Sequence, residues 1–395
     1  MFSLKNKIDP NLHVLLSSNN NRCFRVLIYC NKFIDRIESR LKSYKCTIHC
    51  SLEIVNCICA DVSSLTITRL VEYPEIKYIT FDSIGSICAH NVLSGNNIRA
   101  GFMKEIKLSG KGICIGIIDT GVYPHKDLKS PSQKICKFVD LINELNYPYD
   151  DNGHGTFISG LIASGGSKYS GIARSSVIYM VKAFEASGRA YISSILKALI
   201  LLINESKGNN IRVICLPFET FSQNSFILST FSKLFKLAND NNIVIVVPSG
   251  SNKNDKNSMV GIASLNNCIT VSGITSGSQM NPYTYSSAGP LGKLEKPNLC
   301  AACTDLGSLN CDTSYISERN GVKLYPHELK TPYTSYEGTS CAAAFVAGVF
   351  ALLFEKNPEL SPKDAISLIK TSCKLLKIPK WQQGLGYIDL ENLFQ

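Results

Sequence analysis

The stretch Gly338 to Phe354, Gly-Thr-Ser-Cys-Ala-Ala-Ala-Phe-Val-Ala-Gly-Val-Phe-Ala-Leu-Leu-Phe, constrains the fold more than any other. After Ser340 it is apolar on every face, so as a helix it must be buried on all sides. It is shorter than the roughly 20 residues that cross a bilayer, and Glu355, Lys356, Asn357 and Pro358 close it. The rest of the chain has to supply a domain around this helix. Its opening, Gly-Thr-Ser, puts a hydroxyl at the positive end of a helix dipole, beside backbone N–H groups that lack intrahelical partners. A nucleophile there has an anion site next to it, which acyl transfer needs. A Thr339 or Ser340 that merely caps a core helix would read the same way.

At 395 residues the chain has room for one large domain and a small one. Hydrophobic residues make up 45% and charged residues 18%, which supports a sizeable core and argues against disorder. The net charge of +10 is spread along the chain without a basic run, so nucleic-acid binding is not expected. The 16 cysteines do not form a disulfide framework. Cys57 and Cys59 alternate in an apolar strand, and Cys114, Cys215 and Cys341 lie in apolar runs, where a free thiol behaves as a small hydrophobe. That usage points to a reducing compartment. Cys300-Ala-Ala-Cys303, with Cys311 nearby, has zinc-like spacing, but no second pair or spaced His accompanies it and no metal site is assigned. Met1 to Asn21 lacks a basic-then-apolar leader and no run reaches membrane-spanning length, so a cytoplasmic or leaderless protein without a membrane span is expected.

Taken in order, residues 1–22 read as a flexible polar tail. Residues 23–83 give strand, helix, two strands, helix, strand, the split βαβ pattern of a small α+β unit. So small a unit buries little and should lean on another body. Residues 84–101, rich in Ser, Gly and Asn, read as a linker, and 102–395 as the main domain. There, continuous apolar strands at 113–118, 177–182, 211–216, 243–247 and 268–271 alternate with helical stretches at 154–163, 191–203 and 225–239. This is an α/β domain with a mostly parallel sheet flanked by helices, and such folds place ligands at the carboxyl ends of their strands.

Two further residues complete a candidate constellation. Asp119 directly follows the first of these strands in Ile118-Asp119-Thr120-Gly121, where it is either a rigidly held acid or a turn former. His154, in Asn152-Gly153-His154-Gly155-Thr156, opens an apolar helix and is one of only six histidines, suited to accept a proton near neutral pH.

Together, the Asp-Thr-Gly, Asn-Gly-His-Gly-Thr and Gly-Thr-Ser motifs, in that order, resemble the subtilisin-like serine proteases over roughly residues 110–390. The likeness extends to Tyr285 to Pro290, Lys296-Pro297-Asn298 and Gly386 to Asp389. It implies a serine endopeptidase acting on protein or peptide substrates, with Ser340 as nucleophile, His154 as base and Asp119 as the residue that orients the imidazole. It also implies that residues 23–83 are an inhibitory propeptide, that the linker holds a maturation site, and that calcium is a candidate family cofactor, although no Asp-rich loop is visible to hold one. The Asn-, Lys- and Ile-rich composition is similar to that of intracellular or germination-associated members from spore-forming bacteria.

Some positions depart from the pattern. The family's second oxyanion donor is an Asn in Ala-Ala-Gly-Asn; here the stretch reads Pro248-Ser249-Gly250-Ser251-Asn252, which leaves either Ser251 or Asn252 as donor. The substrate strand, Ser-Leu-Gly in the family, reads Leu216-Pro217-Phe218-Glu219 around that position. Glu219 would make the first specificity pocket narrow or acidic, or else swing out to the surface. Phe157 and Ala344 replace a family His and Pro, and the stretch from Cys303 to Glu337 is longer than usual. These departures keep a second expectation open: an inactive or weakly active regulatory protein that retains its propeptide.

Overall fold

A computed structural model describes residues 4–18, 22–88, 90–91, 107–277, 279–290 and 295–395. Its centre is a nine-stranded sheet. From one edge the order is Cys373–Lys374, Tyr387–Ile388, Leu299–Ala302, Ile269–Ile274, Val244–Pro248, Ile211–Cys215, Cys114–Asp119, Val177–Lys182 and Ile135–Asp140. Every pairing is parallel except that of Cys373–Lys374 with its neighbour. Both faces of a parallel sheet need cover, which is why these strands are apolar without alternation. In Cys114–Asp119, Ile115 and Ile117 point into the layer that holds the helices His154–Ala163 and Thr339–Lys356. Cys114 and Ile118 point to the opposite layer, with Ile192–Asn204 and Ser225–Asp240.

Thr339–Lys356 runs through the first layer with almost every residue buried. Among the described residues it alone is long and apolar enough to cross a membrane, and 83% of that window is buried inside the fold, so it is a core helix. The long stretch before it forms an antiparallel pair, Leu306–Leu309 with Tyr333–Glu337. Ser308 Oγ donates to the Phe157 carbonyl at 2.8 Å, which fixes this pair on the His154 helix.

Residues 23–81 form a separate four-stranded antiparallel sheet in the order Thr47–Leu52, Cys57–Ser63, Cys23–Cys30, Ile76–Phe81. Thr47–Leu52 and Cys57–Ser63 are divided by a 3-10 turn at Glu53–Val55 and a left-handed Asn56. Val26 and Ile28 bury one face of this sheet under the helices Ile34–Ser43 and Ser64–Leu70. Leu27, Tyr29, Cys57 and Cys59 bury the other against the helices Ile192–Asn204 and Ser225–Asp240 of the main body. The expected dependence on a second body is met by this shared core.

Two expectations need correction. The expected flexible tail at 1–22 contains the helix Pro10–Ser18, with Leu12 fully buried in the small unit's core. Asp9 N bonds the Ile79 carbonyl at 2.9 Å, and Lys7 Nζ reaches the carbonyls of Val71 and Tyr73. Ile8 and Leu12 are buried in this core and Leu16 packs against it, a four-residue spacing that fits a helix and that reading the stretch as polar passes over. The linker at 84–101 is also more than a connector. Ile84–Ile87 is a strand between Arg189–Tyr191 and Phe218–Thr220, antiparallel to both, and His90–Asn91 pairs with Tyr336–Glu337. Residues 92–101, and the start of the 102–395 segment through 106, lie outside the described residues.

Candidate active site

Asp119 ends its strand at the carboxyl edge of the sheet, as such folds favour. His154 is the first residue of its helix, and Ser340 the second residue of the long buried one. All three are buried, at 1% exposure or less. His154 Nδ1 lies 2.8 and 2.9 Å from the two Asp119 carboxylate oxygens. Its Nε2 lies 3.1 Å from Ser340 Oγ. With Nδ1–H donating to Asp119, Nε2 is free to accept the serine proton.

The glycines of the motifs have steric reasons. A Cβ on Gly155 would lie 2.1 Å from the Gly121 carbonyl oxygen, so the His154 helix and the Asp119 turn can meet only as glycine. Gly121 itself has φ +125°. Asp150, which the motifs did not single out, ties the two loops. Its Oδ1 accepts from Thr120 Oγ1 (2.9 Å) and Gly153 N (2.8 Å), and its Oδ2 from Thr156 N (2.8 Å) and Oγ1 (2.6 Å). The signal for it was an acid a few residues before a helix start. Lys182 is equally hidden in an apolar strand: its buried ammonium donates to Thr120 O and Asp151 Oδ1 at 2.6 Å and to Phe184 O at 3.0 Å.

These bonds bear on calcium, which needs several oxygens free to converge on one ion. Asp150 spends its oxygens on amides and hydroxyls, and Asp140 does so on Ile142, Asn143, Leu145 and Tyr149. Asp151 faces the Lys182 ammonium. The acidic groups around the site therefore do not fit a cation. Among the described residues, no three His, Cys, Asp or Glu side chains cluster for a metal.

The cleft beside the triad is filled by the chain itself. The strand Ile84–Ile87 enters it with Phe218, Glu219 and Thr220 opposite Ile87, Ser86 and Gly85. Cys88 follows, buried, and Ser340 Oγ lies 3.3 Å from its carbonyl oxygen. The residues expected to form the pocket gather here. Leu216 and Phe218 are buried, and Pro217 carries the chain between two strands without needing an N–H bond. Pro248 ends its strand, Ser249 N bonds Val271 O, and Gly250 turns with φ +105° while its carbonyl accepts from Thr339 Oγ1 at 3.2 Å. Glu219 is 4% exposed, so the surface-facing alternative is wrong. Its carboxylate accepts from Ser251 N at 2.9 Å and from Ser251 Oγ.

That arrangement also bears on the oxyanion candidates. The Ser251 hydroxyl is given to Glu219. Asn252 is held by its backbone N–H on Ser287 Oγ (2.8 Å), and the residue is exposed. The structure thus directs the Ser251 hydroxyl to Glu219 and holds Asn252 at the surface. Cys341, beside the nucleophile, has its thiol pushed up to about 12 by burial and stays an uncharged packing group. Phe157, in place of the family His, stacks on Tyr336 with centroids 4.6 Å apart.

The chain is similar to known proteins over most of its length. A family model described as the subtilase family matches residues 110–387. Serine protease AprX of Bacillus subtilis (strain 168) is 26% identical over 86% of this chain and 79% of its own length. M-protease of Shouchella clausii (strain KSM-K16) is 27% identical over 78% of this chain and 72% of its own. Among solved structures, fervidolysin from Fervidobacterium pennivorans superposes with a TM-score of 0.73 at 17% identity, over 95% of this chain. The chain spans 61% of fervidolysin. The epidermin leader peptide processing serine protease of Staphylococcus aureus gives 0.71 at 20% identity, over 94% of this chain and 98% of its own.

Proposed function

The chain belongs to the subtilase family and is a subtilisin-like serine protease, and from that premise we propose that it is an endopeptidase made as a self-inhibited precursor, with Asp119, His154 and Ser340 as its catalytic triad. The observation that carries the proposal is the unbroken line of contacts from Asp119 through His154 and Ser340 to a peptide carbonyl in the cleft. In this reading Ser340 Oγ attacks the carbonyl while His154 Nε2 takes its proton. His154 then gives that proton to the leaving amine, and water hydrolyses the ester by the same route. Asp119 holds the imidazole tautomer and stabilises the imidazolium. The Ser340 N–H, at a helix N-terminus, faces the developing oxyanion. Residues 23–83 act as the inhibitor: their sheet docks on two helices of the main body, and the segment after it occupies the cleft. Proteins and peptides are the substrates.

One observation favours a second reading. The Ser251 hydroxyl, bonded to Glu219, is engaged away from the carbonyl, which suits a slow or regulatory protein that keeps its small unit docked. Intact-mass time courses of the full chain and its Ser340→Ala variant decide between them. Loss of an N-terminal piece by the wild type alone supports the endopeptidase. Persistence of both at full length supports the regulatory reading.

A further inference from the structure

The strand in the cleft carries information about selectivity. Side chains alternate faces along a strand, so Ser86 and Cys88 point the same way. Glu219 pairs directly with Ser86 across the antiparallel ladder. Directly opposed residues share a face, and the diagonal neighbour two residues on is within reach of a long side chain. Glu219 therefore extends toward Cys88, whose thiol donates to the Ser86 carbonyl at 3.9 Å and has the Glu219 carboxylate and the Thr339 hydroxyl as neighbours. Burial and this carboxylate together raise the thiol well above its ordinary value, so it remains a neutral S–H donor.

The space for the carboxylate comes from Gly250. A Cβ there would lie 2.7 Å from Glu219 Oε2, in addition to the strain of φ +105°. Ser251 then holds the carboxylate from its far side, through its amide and its hydroxyl. What remains of the pocket is filled by Cys88, which is 3% exposed. This leaves room for a small side chain that donates a hydrogen bond. A long cationic chain would have to displace the carboxylate or its Ser251 partners.

We propose that Glu219 sets which side chain is accepted immediately before the cleaved bond, selecting a small hydrogen-bond donor, and that the first bond read in this way is Cys88–Ala89 of this chain. The inference rests on the proteolytic reading above. In the step itself, a bond forms between Ser340 Oγ and the Cys88 carbonyl carbon, and the Cys88–Ala89 C–N bond breaks. The serine proton passes through His154 to the new Ala89 amine. Water then restores Ser340 and leaves Cys88 with a carboxylate.

The test uses the full chain, with intact masses followed over time for the wild type, Ser340→Ala and four variants at residue 88. The wild type should lose residues 1–88. Cys88→Ser keeps a donor and should be cut at the same bond at a rate near that of wild type. Cys88→Ala loses the donor and should be cut about ten- to a hundredfold more slowly. Cys88→Leu and Cys88→Arg should be slower than Cys88→Ser. Adding Glu219→Gly should speed Cys88→Leu relative to Cys88→Ser, because the pocket is then deep and has lost its acceptor. Because the residue 88 variants leave the catalytic body unchanged, a folding defect in Glu219→Gly alone does not remove the test. A wild-type cut at another bond, with Ser340→Ala intact, overturns this inference and leaves the proteolytic reading standing. Cys88→Arg outrunning Cys88→Ser, or Cys88→Ala matching wild type, also overturns it. Equal behaviour of wild type and Ser340→Ala overturns both.

Discussion

Asp82 is where the small unit grips the main body, and its removal has a calculable consequence. The helix Ile192–Asn204 begins after Tyr191, which makes no side-chain cap bond of its own. Asp82 supplies the cap from the other unit: its Oδ1 accepts from Ser193 N at 2.9 Å and its Oδ2 from Ser193 Oγ at 2.7 Å. The same Oδ2 takes Arg25 Nε at 2.9 Å and the Cys59 thiol at 3.2 Å. In Asp82→Ala the lost cap costs about 1 kcal/mol. The lost charge-assisted bond from Ser193 Oγ costs about 1.5–3 kcal/mol more, whereas the bond to Arg25 lies within the small unit and does not enter the coupling, Arg25 still lying over the Tyr191 ring at 3.8 Å. A total near 3 kcal/mol corresponds to about a hundredfold easier opening between the units. Native-state hydrogen exchange in the Ser340→Ala background, where the chain stays whole, reads this directly. Amides of Ile84–Ile87, whose ladder spans both neighbours in the cleft, should exchange about a hundredfold faster in Asp82→Ala. Asp82→Asn, which keeps an acceptor for Ser193, should fall between. An acceleration below about threefold in Asp82→Ala would refute the idea that this carboxylate couples the units.

Four more perturbations follow from the geometry. Gly155→Ala puts a methyl 2.1 Å from the Gly121 carbonyl oxygen, so peptide hydrolysis should drop by about a hundredfold or more while circular dichroism stays native. Ser251→Ala should lower kcat less than tenfold, because its hydroxyl is bonded to Glu219; a loss near the hundred- to thousandfold cost of an oxyanion donor would show otherwise. Gly348→Leu drives a side chain into Ile172, already 2.8 Å from a Cβ at that position, and should cost about 1–3 kcal/mol in urea unfolding at unchanged m. His125 is held below its ordinary 6.5 by burial, with Asp127, Lys126 and Lys129 as its charged neighbours. Between the folded value and 6.5 the unfolded chain binds a proton that the native ring does not, so stability should fall as pH drops through that window. His125→Gln should flatten this slope in pH-dependent urea melts.

The triad and the central helix were legible because their chemistry needs particular residues at particular junctions of strand, loop and helix. An acid at a strand's end, a histidine between glycines and a serine opening an all-apolar helix leave few alternatives. The small unit was legible because short apolar runs such as Cys23–Cys30 alternate with amphipathic helical stretches such as Ile34–Ser43. What escaped depended on partners distant in sequence. Leu12 is a core residue only because the small sheet lies beneath it. Ile84–Ile87 is only four residues long, with Gly85 and Ser86 at its centre, and becomes a strand only between Arg189–Tyr191 and Phe218–Thr220, more than a hundred residues away. Lys182 reads as an oddity in an apolar strand until two carbonyls and Asp151 are seen around it. Glu219 could be read as acidic pocket or surface residue, and the deciding facts, Gly250 beneath it and Ser251 behind it, belong to another strand and its loop.

The connection between the two units explains why the cleft is occupied at all. The last strand of the small sheet ends at Phe81 and the strand in the cleft begins at Ile84, so two residues join them, and one is the anchoring Asp82. Ordering a free peptide in the cleft would cost about 1–2 kcal/mol of backbone entropy per residue. Here much of that cost is already met when the sheet docks through Leu27, Tyr29, Cys57 and Cys59. The tether also fixes the register. With Phe81 held in its sheet, a slip of one residue in the cleft would turn Cys88 away from Glu219 and present Ile87 in its place. Docking, register and the choice of the residue beside Ser340 are thus set together, by the short path from Phe81 to Cys88.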